Sequence, residues 1–374
     1  MSGKHEMPKK KKNNEKNENR KIKERKIEEP TQEKTSRRGL KILGRIVLIL
    51  VIIFVVLVGI IAAFITSKLG KMQQVKLNEE DLGISQQAEE NLSEYRNIAL
   101  FGVDSRDSDL GKGNRSDCII IASLNNKTKE VKLISVYRDT YVNIEGHGLD
   151  KITHAYSYGE APLAIKTLNE NFDLNITEFA TVNFDSVAEA VNALGGVTID
   201  VTSDELNYIN QYINETSKVT GIESKNVTKA GKQTLDGVQA VAYSRIRYTA
   251  GGDYKRTERM RTVIEAMIDK FKTKSISEMN QIIDQILPEV YTNITAGDIF
   301  SLLPSVAGMK VTESIGWPYE TKGITLDRWY GVPVTLESNV KRLHQEAFGE
   351  PDYMPSDKVK QVSNQIIQKT GYTN

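Results

Sequence analysis

Beyond residue 95 the chain alternates between short apolar runs and longer stretches with helical spacing. Ile98 to Val103, "CIIIASL" at 118–124 and "EVKLISV" at 130–136 read as strands, the last two joined into a hairpin by a turn at Asn125 and Asn126. "APLAIKTLNENF" (161–172) has helical spacing and "EFATVNF" (178–184) alternates. "DSVAEAVNALGG" (185–196) reads as a helix with Asp185 as N-cap and Gly195 as its stop, followed by the strand "VTIDV" (197–201). Residues 204–230 are polar and show no clear period. "AVAYSRIRY" (240–248) alternates as a strand would; "TAGG" then loops out, and a helix runs from Asp253 to about Lys272. Helices are expected near 275–288 and 297–307, strand-like pieces up to about 335, and two closing helices. Such alternation argues an α/β fold built on one central sheet.

Upstream the pattern is of another kind. "IVLILVIIFVVLVGIIAAFITS" is uncharged, and its core from Ile46 to Ile65 would span about 30 Å as a helix, the thickness of a bilayer's hydrocarbon. It is too long for a signal-peptide core and is preceded by a long basic segment, so it reads as a single membrane anchor. Of the 50 lysines and arginines, 16 fall within residues 1–45, against 7 of the 49 acidic residues. The positive side stays in the cytoplasm, which puts the chain from about residue 70 outside the cell. The remainder, with 34 basic against 42 acidic residues, is net acidic despite a total charge of +1. The expected organisation is a disordered basic segment (1–45), a transmembrane helix (46–66), a linker (67–94), an extracellular core (95–270) and a helical or mixed extension packed on it (271–374). The single cysteine, Cys118, cannot form an internal disulfide. Sequons at Asn126, Asn175, Asn226 and Asn293 would put glycan into secondary structure in a eukaryotic secreted domain, so a bacterial surface fits better.

The candidate chemistry centres on "AYSRIRYTAGGDYKRTERMRTVI" (242–264). On a strand, Arg245 and Arg247 share a face; on the following helix, Asp253, Arg256 and Arg259 are neighbours. Each guanidinium can hold a phosphate with two parallel hydrogen bonds, so converging ones suit a pyrophosphate. Three strand ends carry similar chemistry: Asp104 after the first strand, Arg115 and Asp117 before the second, Arg138 and Asp139 after the third. Polar groups just past strand ends line the crevice of an α/β sheet. Carboxylates among arginines make sense where Asp104 and Asp117 hold a divalent cation together with phosphate oxygens.

These pieces together resemble the LytR-CpsA-Psr family of bacterial cell-envelope proteins. The matching motifs are "GVDSR", "NRSD", "ISVYRD", "KITHAYSYG", "VNALGGV", "SRIRY" and "GGDYKRTERMR", in family order behind a family-like anchor and covering about residues 95–265. The resemblance implies a central mixed β-sheet flanked by helices in an α-β-α arrangement, which sleeves a polyprenyl tail. It implies transfer of a phosphorylated glycopolymer, such as wall teichoic acid or capsular polysaccharide, from an undecaprenyl-pyrophosphate carrier to the C6 hydroxyl of N-acetylmuramic acid in peptidoglycan, assisted by Mg²⁺ or Mn²⁺. By motif, Asp104 and Asp117 take the metal side. Arg115, Arg138, Arg245, Arg247 and Arg256 form the pyrophosphate clamp, with Asp253 and Arg259 supporting it. Lys151 is a further candidate for phosphate or sugar, and Asp117 or Asp139 for taking the acceptor's proton.

Two positions depart from the family pattern. Met260 stands where the family has Gln, and His154 where it has a small residue; the histidine reads as a surface or loop group. Two rivals share the arginines: a non-catalytic module that captures anionic wall polymer, and a pyrophosphatase using water as acceptor. Nucleic acid is not an expected partner, because no helix-turn-helix pattern accompanies the basic segment and the arginine cluster lies outside the membrane.

Overall fold

In the computed structural model, residues 73–373 are described, apart from 106–109, 112 and 307. The candidate membrane span at 46–66, the basic segment before it and the start of the linker lie outside the described residues. Among the described residues no helix is long and apolar enough to cross a bilayer.

The order begins with β1 (Gln73–Gln74) and α1 (Gln86–Asn91), then three long strands, β2 (Tyr95–Val103), β3 (Ser116–Asn125) and β4 (Glu130–Val136). The hairpin β5 (Tyr141–Ile144) and β6 (Gly148–Lys151) leads into α2 (Thr153–Phe172), β7 (Glu178–Val182), α3 (Phe184–Ala193) and β8 (Val197–Val201). Next come α4 (Ser203–Thr220), β9 (Gly231–Leu235), α5 (Gly237–Arg245) and α6 (Gly252–Lys272). Then follow α7 (Ile276–Ile286), β10 (Tyr291–Thr292), α8 (Ala296–Val306) and β11 (Lys310–Trp317). The hairpin β12 (Thr321–Thr325) and β13 (Trp329–Pro333) and the helices α9 (Leu336–Ala347) and α10 (Asp357–Thr370) complete the order.

Seven strands form one sheet in the order β1-β10-β7-β2-β3-β4-β11. β2 is antiparallel to β3 and parallel to β7, and β4 is parallel to β11, so the sheet is mixed, as expected. The predicted hairpin of β3 and β4 is present. β10 and β11 complete the sheet's flanks, which makes the C-terminal part of the chain integral to it.

Period-two alternation divides β2 between two environments. Ala99, Phe101 and Val103 enter a large core with Tyr156 and Phe172 of α2, Trp317, and the apolar faces of α9 and α10. Leu100 faces the other side, where Ile120, Leu124, Val131 and Leu133 make a smaller cluster flanked by Met260 and Ile264 of α6. A third cluster joins α4, α5 and the β8–β9 hairpin.

Three sequence expectations are corrected here. "AVAYSRIRY" is not a strand: Asp236 caps a helix and forms a reciprocal capping box with Gln239, and that helix, α5, runs to Arg245. Gly237 begins α5 because a β-carbon there would lie 2.0 Å from the Ala188 carbonyl oxygen of α3. The polar stretch after 202 is largely the helix α4, started by a capping box of Thr202 and Glu205. The N-cap of α3 is Asn183, whose side chain accepts from the Ser186 N–H, so Asp185 lies inside the first turn.

Candidate functional site

The site starts where β2 and β3 end. Gly102 pairs with Cys118 but Val103 pairs with Ser116, leaving Asp117 as the extra residue of a β-bulge. Strict alternation would send Asp117 and Cys118 to opposite faces; the bulge re-aims the strand, and both line one cavity together with Asp104. The Asp117 N–H donates to the Arg115 carbonyl at 3.1 Å, closing the turn that presents it. Arg138, two residues past β4, reaches Asp117 Oδ2 with Nη1 at 3.0 Å.

The other wall comes from α5, α6 and the loop between them. α5 stops at Arg245 because Ile246 leaves helical geometry, with ψ at 126°. Gly251 and Gly252, at φ of 92° and 49°, turn the loop into α6 in a conformation that side-chain-bearing residues rarely adopt. This places Asp253 in the first turn of α6, where it joins three arginines. Its Oδ1 lies 3.0 Å from Arg256 Nε and 3.6 Å from Arg247 Nε, and its Oδ2 lies 4.0 Å from Arg138 Nε. Arg256 Nη2 also donates to the Asp117 carbonyl at 3.4 Å. Arg245 donates to Thr216 Oγ1 at 2.9 Å and stacks 4.9 Å over the Phe184 ring, with Glu215 at 3.7 Å.

Burial disfavours the charge on Arg138, but Asp117, Asp139 and Asp253 outweigh it and hold the guanidinium above its ordinary value. Arg256 goes the other way: burial, with Arg247 and Arg138 close by, lowers it despite Asp253. Even lowered, a guanidinium keeps its proton, so the cluster presents crowded positive charge that an anion would relieve.

The cavity holds about 680 Å³ and has two chemical ends. Asp104, Asp117, Arg138, Arg245, Arg247 and Arg256 line the polar one. Leu100, Val182, Val263, Ile264, Met267 and Ile286 line the apolar one, between the sheet and the helices α6 and α7. Burial pushes the Cys118 thiol in this wall up to about 12. Met260 also lines the cavity, adding a thioether to its apolar wall.

The remaining predicted residues lie elsewhere. Arg115 is exposed and does not line the cavity. Asp139, expected as a proton acceptor, is instead paired with Lys151 at 2.6 Å, stands 3.6 Å from Arg138, and is not among the residues that line the cavity. Lys151 is thereby engaged with a carboxylate. Arg259, expected to support the clamp, is buried and donates to Glu205 at 2.7 Å, to the Ile246 carbonyl at 3.0 Å and to Thr249 Oγ1 at 2.6 Å. It braces the loop that carries Arg247. His154 is a correction too: it is buried in α2, with Nδ1 2.8 Å from Asp150 Oδ2. Sequence reasoning missed Tyr212, Glu215 and Tyr248, which line the cavity beside Arg245. The capping box at Thr202 would have located the helix that carries the first two.

A model of the LytR_cpsA_psr family matches residues 60–341. The polyisoprenyl-teichoic acid–peptidoglycan teichoic acid transferase TagT of Bacillus subtilis (strain 168) is 36% identical over 233 residues, 61% of this chain and 70% of the relative. TagU of Oceanobacillus iheyensis, named for the same activity, is 33% identical over 262 residues, 68% of this chain and 75% of its own length. Among solved structures, TagT bound to LIIa-WTA aligns with a TM-score of 0.52 at 29% identity, over 75% of this chain and 92% of that one. Protein gbs0355 from Streptococcus agalactiae aligns with a TM-score of 0.60 at 27% identity, over 73% and 93%. With a family model spanning most of the chain, relatives of this similarity and the same mixed sheet, this protein belongs to the LytR-CpsA-Psr family.

Proposed function

We propose that this protein transfers a phosphate-linked glycopolymer from a polyprenyl-pyrophosphate carrier to peptidoglycan. The observation that carries this reading is the two-ended cavity: an apolar sleeve that ends on four arginines and two aspartates. A polyprenyl chain suits the sleeve and a pyrophosphate suits the guanidiniums, so one ligand satisfies both ends. The names of TagT and TagU support the same activity class. The donor glycan is proposed to be of the teichoic or capsular kind, and the acceptor the C6 hydroxyl of N-acetylmuramic acid.

The acceptor oxygen attacks the sugar-proximal phosphorus. A new P–O bond forms as the bond to the bridging oxygen breaks, polyprenyl phosphate leaves with the electron pair, and the hydroxyl proton passes to water at the open mouth. Arg247, Arg256, Arg138 and Arg245 hold the phosphoryl oxygens and stabilise the charge that builds on them. Asp253 sets the relative positions of three of these guanidiniums, and Arg259 fixes the loop behind them.

Among the described residues no group of three or more potential ligands could enclose a metal. Two hard carboxylates, Asp104 and Asp117, nevertheless line the polar end. That set fits Mg²⁺ or Mn²⁺, which binds through one or two carboxylates and completes its shell with phosphate oxygens and water. Bound there, the ion would withdraw charge from the phosphoryl group. We further propose that the segment at 46–66 anchors the chain in the cell membrane with its N-terminus inside and the cavity outside.

The test is transfer from a synthetic polyprenyl-pyrophosphate glycan to a peptidoglycan oligomer, with and without Mg²⁺, followed by mass spectrometry. A phosphodiester-linked product is expected. Binding of the lipid-linked glycan without product would favour the capture module, and release of a free glycan phosphate would favour the pyrophosphatase.

A further inference from the structure

Outside the cavity, the hairpin of β12 and β13 carries an exposed aromatic side chain. Trp329 is 46% exposed, although the chain's other tryptophan, Trp317, is fully buried. Its ring is held in place: a β-carbon on Gly323 would lie 2.8 Å from Trp329 Nε1, and one on Gly331 would lie 3.6 Å from Trp329 Cη2. The indole thus lies across two glycines, one on each strand, while its outer side meets solvent. An aromatic with lost rotamer freedom and an open face binds at low entropic cost.

The surface is continuous with the arginine cluster. The Gly331 N–H donates to the Asp139 carbonyl at 2.9 Å, directly after Arg138. A β-carbon on Gly331 would stand 3.4 Å from Thr321 Oγ1, and Thr321 neighbours the Tyr254 phenol. Tyr254, 43% exposed, packs edge-on against Tyr137 at 4.5 Å and follows Asp253, the carboxylate shared by three arginines. Leu326, at the hairpin tip, is exposed as well. By alternation, Thr321, Gly323, Thr325, Trp329 and Gly331 share one face of the hairpin, and none is charged.

A face without charge of its own, next to a phosphate site and beside the exposed Asp327–Arg328 ion pair of the hairpin tip, suits a neutral sugar strand better than a polyanion. The C–H face of a pyranose seats on the electron-rich face of indole, and the threonine hydroxyls can bond ring substituents. This shelf is separate from the aromatic side chains of the cavity itself. Tyr212 and Tyr248 line the cavity at its Arg245 end, whereas the hairpin is attached at the Arg138–Asp139 end.

Resting on the transferase reading above, we propose that this face of the β12–β13 hairpin is the docking surface for the neutral amino-sugar backbone of the acceptor glycan, with Trp329 as its platform. The test uses the full-length chain in detergent micelles, with chitohexaose, a β-1,4-linked N-acetylglucosamine hexamer, as the glycan probe. Geranylgeranyl pyrophosphate serves as the cavity probe. Chitohexaose should perturb the fluorescence of Trp329 saturably and leave buried Trp317 unaffected. By calorimetry, Trp329→Ala should weaken chitohexaose binding about tenfold or more, as loss of an aromatic anchor does, and Trp329→Phe should keep most of it. In the transfer assay the alanine variant should raise KM for the acceptor and leave kcat nearly unchanged. Geranylgeranyl pyrophosphate binding should be equal in all three proteins.

Unchanged chitohexaose affinity in Trp329→Ala would overturn the proposal. So would equal losses of binding and melting temperature in the alanine and phenylalanine variants, which would make the indole a structural cover for the glycines. A variant impaired toward a lipid-linked glycopolymer yet normal toward chitohexaose would reassign the shelf to the donor. Failure of geranylgeranyl pyrophosphate to bind wild type would count against the transferase reading, whereas normal lipid binding without glycan binding would count against the hairpin alone.

Discussion

The two faces of the central sheet receive side chains from the same strands and are finished differently. On one face, Phe101 meets Tyr156, and Phe172 meets Trp317 with ring centroids 3.9 Å apart, in a core sealed by α2, α9 and α10. On the other, Leu100 and Cys118 look into about 680 Å³ of space beneath α6. The filled face supplies the hydrophobic stabilisation that lets the second face remain open. The charged side chains of the cavity lining gather at one end of the open face, where strand ends and helix termini leave room for long side chains. A ligand that completes the second face must be apolar along its length and anionic at one end.

Substitutions on the two faces should separate stability from activity. The largest effect is expected on the filled side: Phe172→Ala should cost about 3–5 kcal/mol, measured by denaturant unfolding, since the cavity it leaves cannot collapse. A similar loss of about 3–5 kcal/mol is expected from Arg259→Met, which leaves Glu205 buried without its partner. Burial works against the Glu205 carboxylate, but the Thr202 N–H and Arg259 overcome this and hold its pKa below the ordinary 4.5. Its contribution should therefore be complete above that ordinary value and vanish as pH falls through the lowered folded one, a loss that Glu205→Gln should remove from the stability profile.

On the open side, Arg247→Ala should leave the melting temperature nearly unchanged and reduce transfer about 100-fold, the scale for losing one donor to a transition-state oxyanion. A variant that kept full activity would dissolve the distinction between the faces. Met267→Ala, in the apolar wall, should cost only about 1 kcal/mol of stability while weakening polyprenyl-pyrophosphate binding, as calorimetry can show. The smallest effect concerns Cys118. With its thiol pushed up to about 12, alkylation should be slow at neutral pH, and a bound lipid should slow it further.

Much of the scaffold was legible from local pattern. The strands β2, β3, β4, β7 and β8 follow apolar runs or alternation, and the β3–β4 hairpin follows Asn125 and Asn126. Where the pattern misled, a stronger local signal was available. The residues of α5 alternate as a strand does, yet Asp236 and Gln239 stand at capping-box spacing, and the same holds for Thr202 and Glu205 before α4. Arg245 and Arg247 still line one cavity, but because a helix ends and turns there rather than because a strand presents them on one face. Arg256 and Arg259 are neighbours on α6 with different surroundings, one in the cavity lining and one fastening the loop.

The sequence alone determined the α/β class, most of the sheet's long strands, the family resemblance and the types of group that meet at the site, because periodicity and short motifs are properties of neighbouring residues. Only the tertiary structure decided which arginines reach the cavity, that a bulge turns Asp117 beside Cys118, that Asp139 faces Lys151, and that Trp329 lies over Gly323 and Gly331. Each of these depends on groups far apart in the chain meeting across a strand pairing or a helix crossing, and no spacing within a single segment encodes such a meeting.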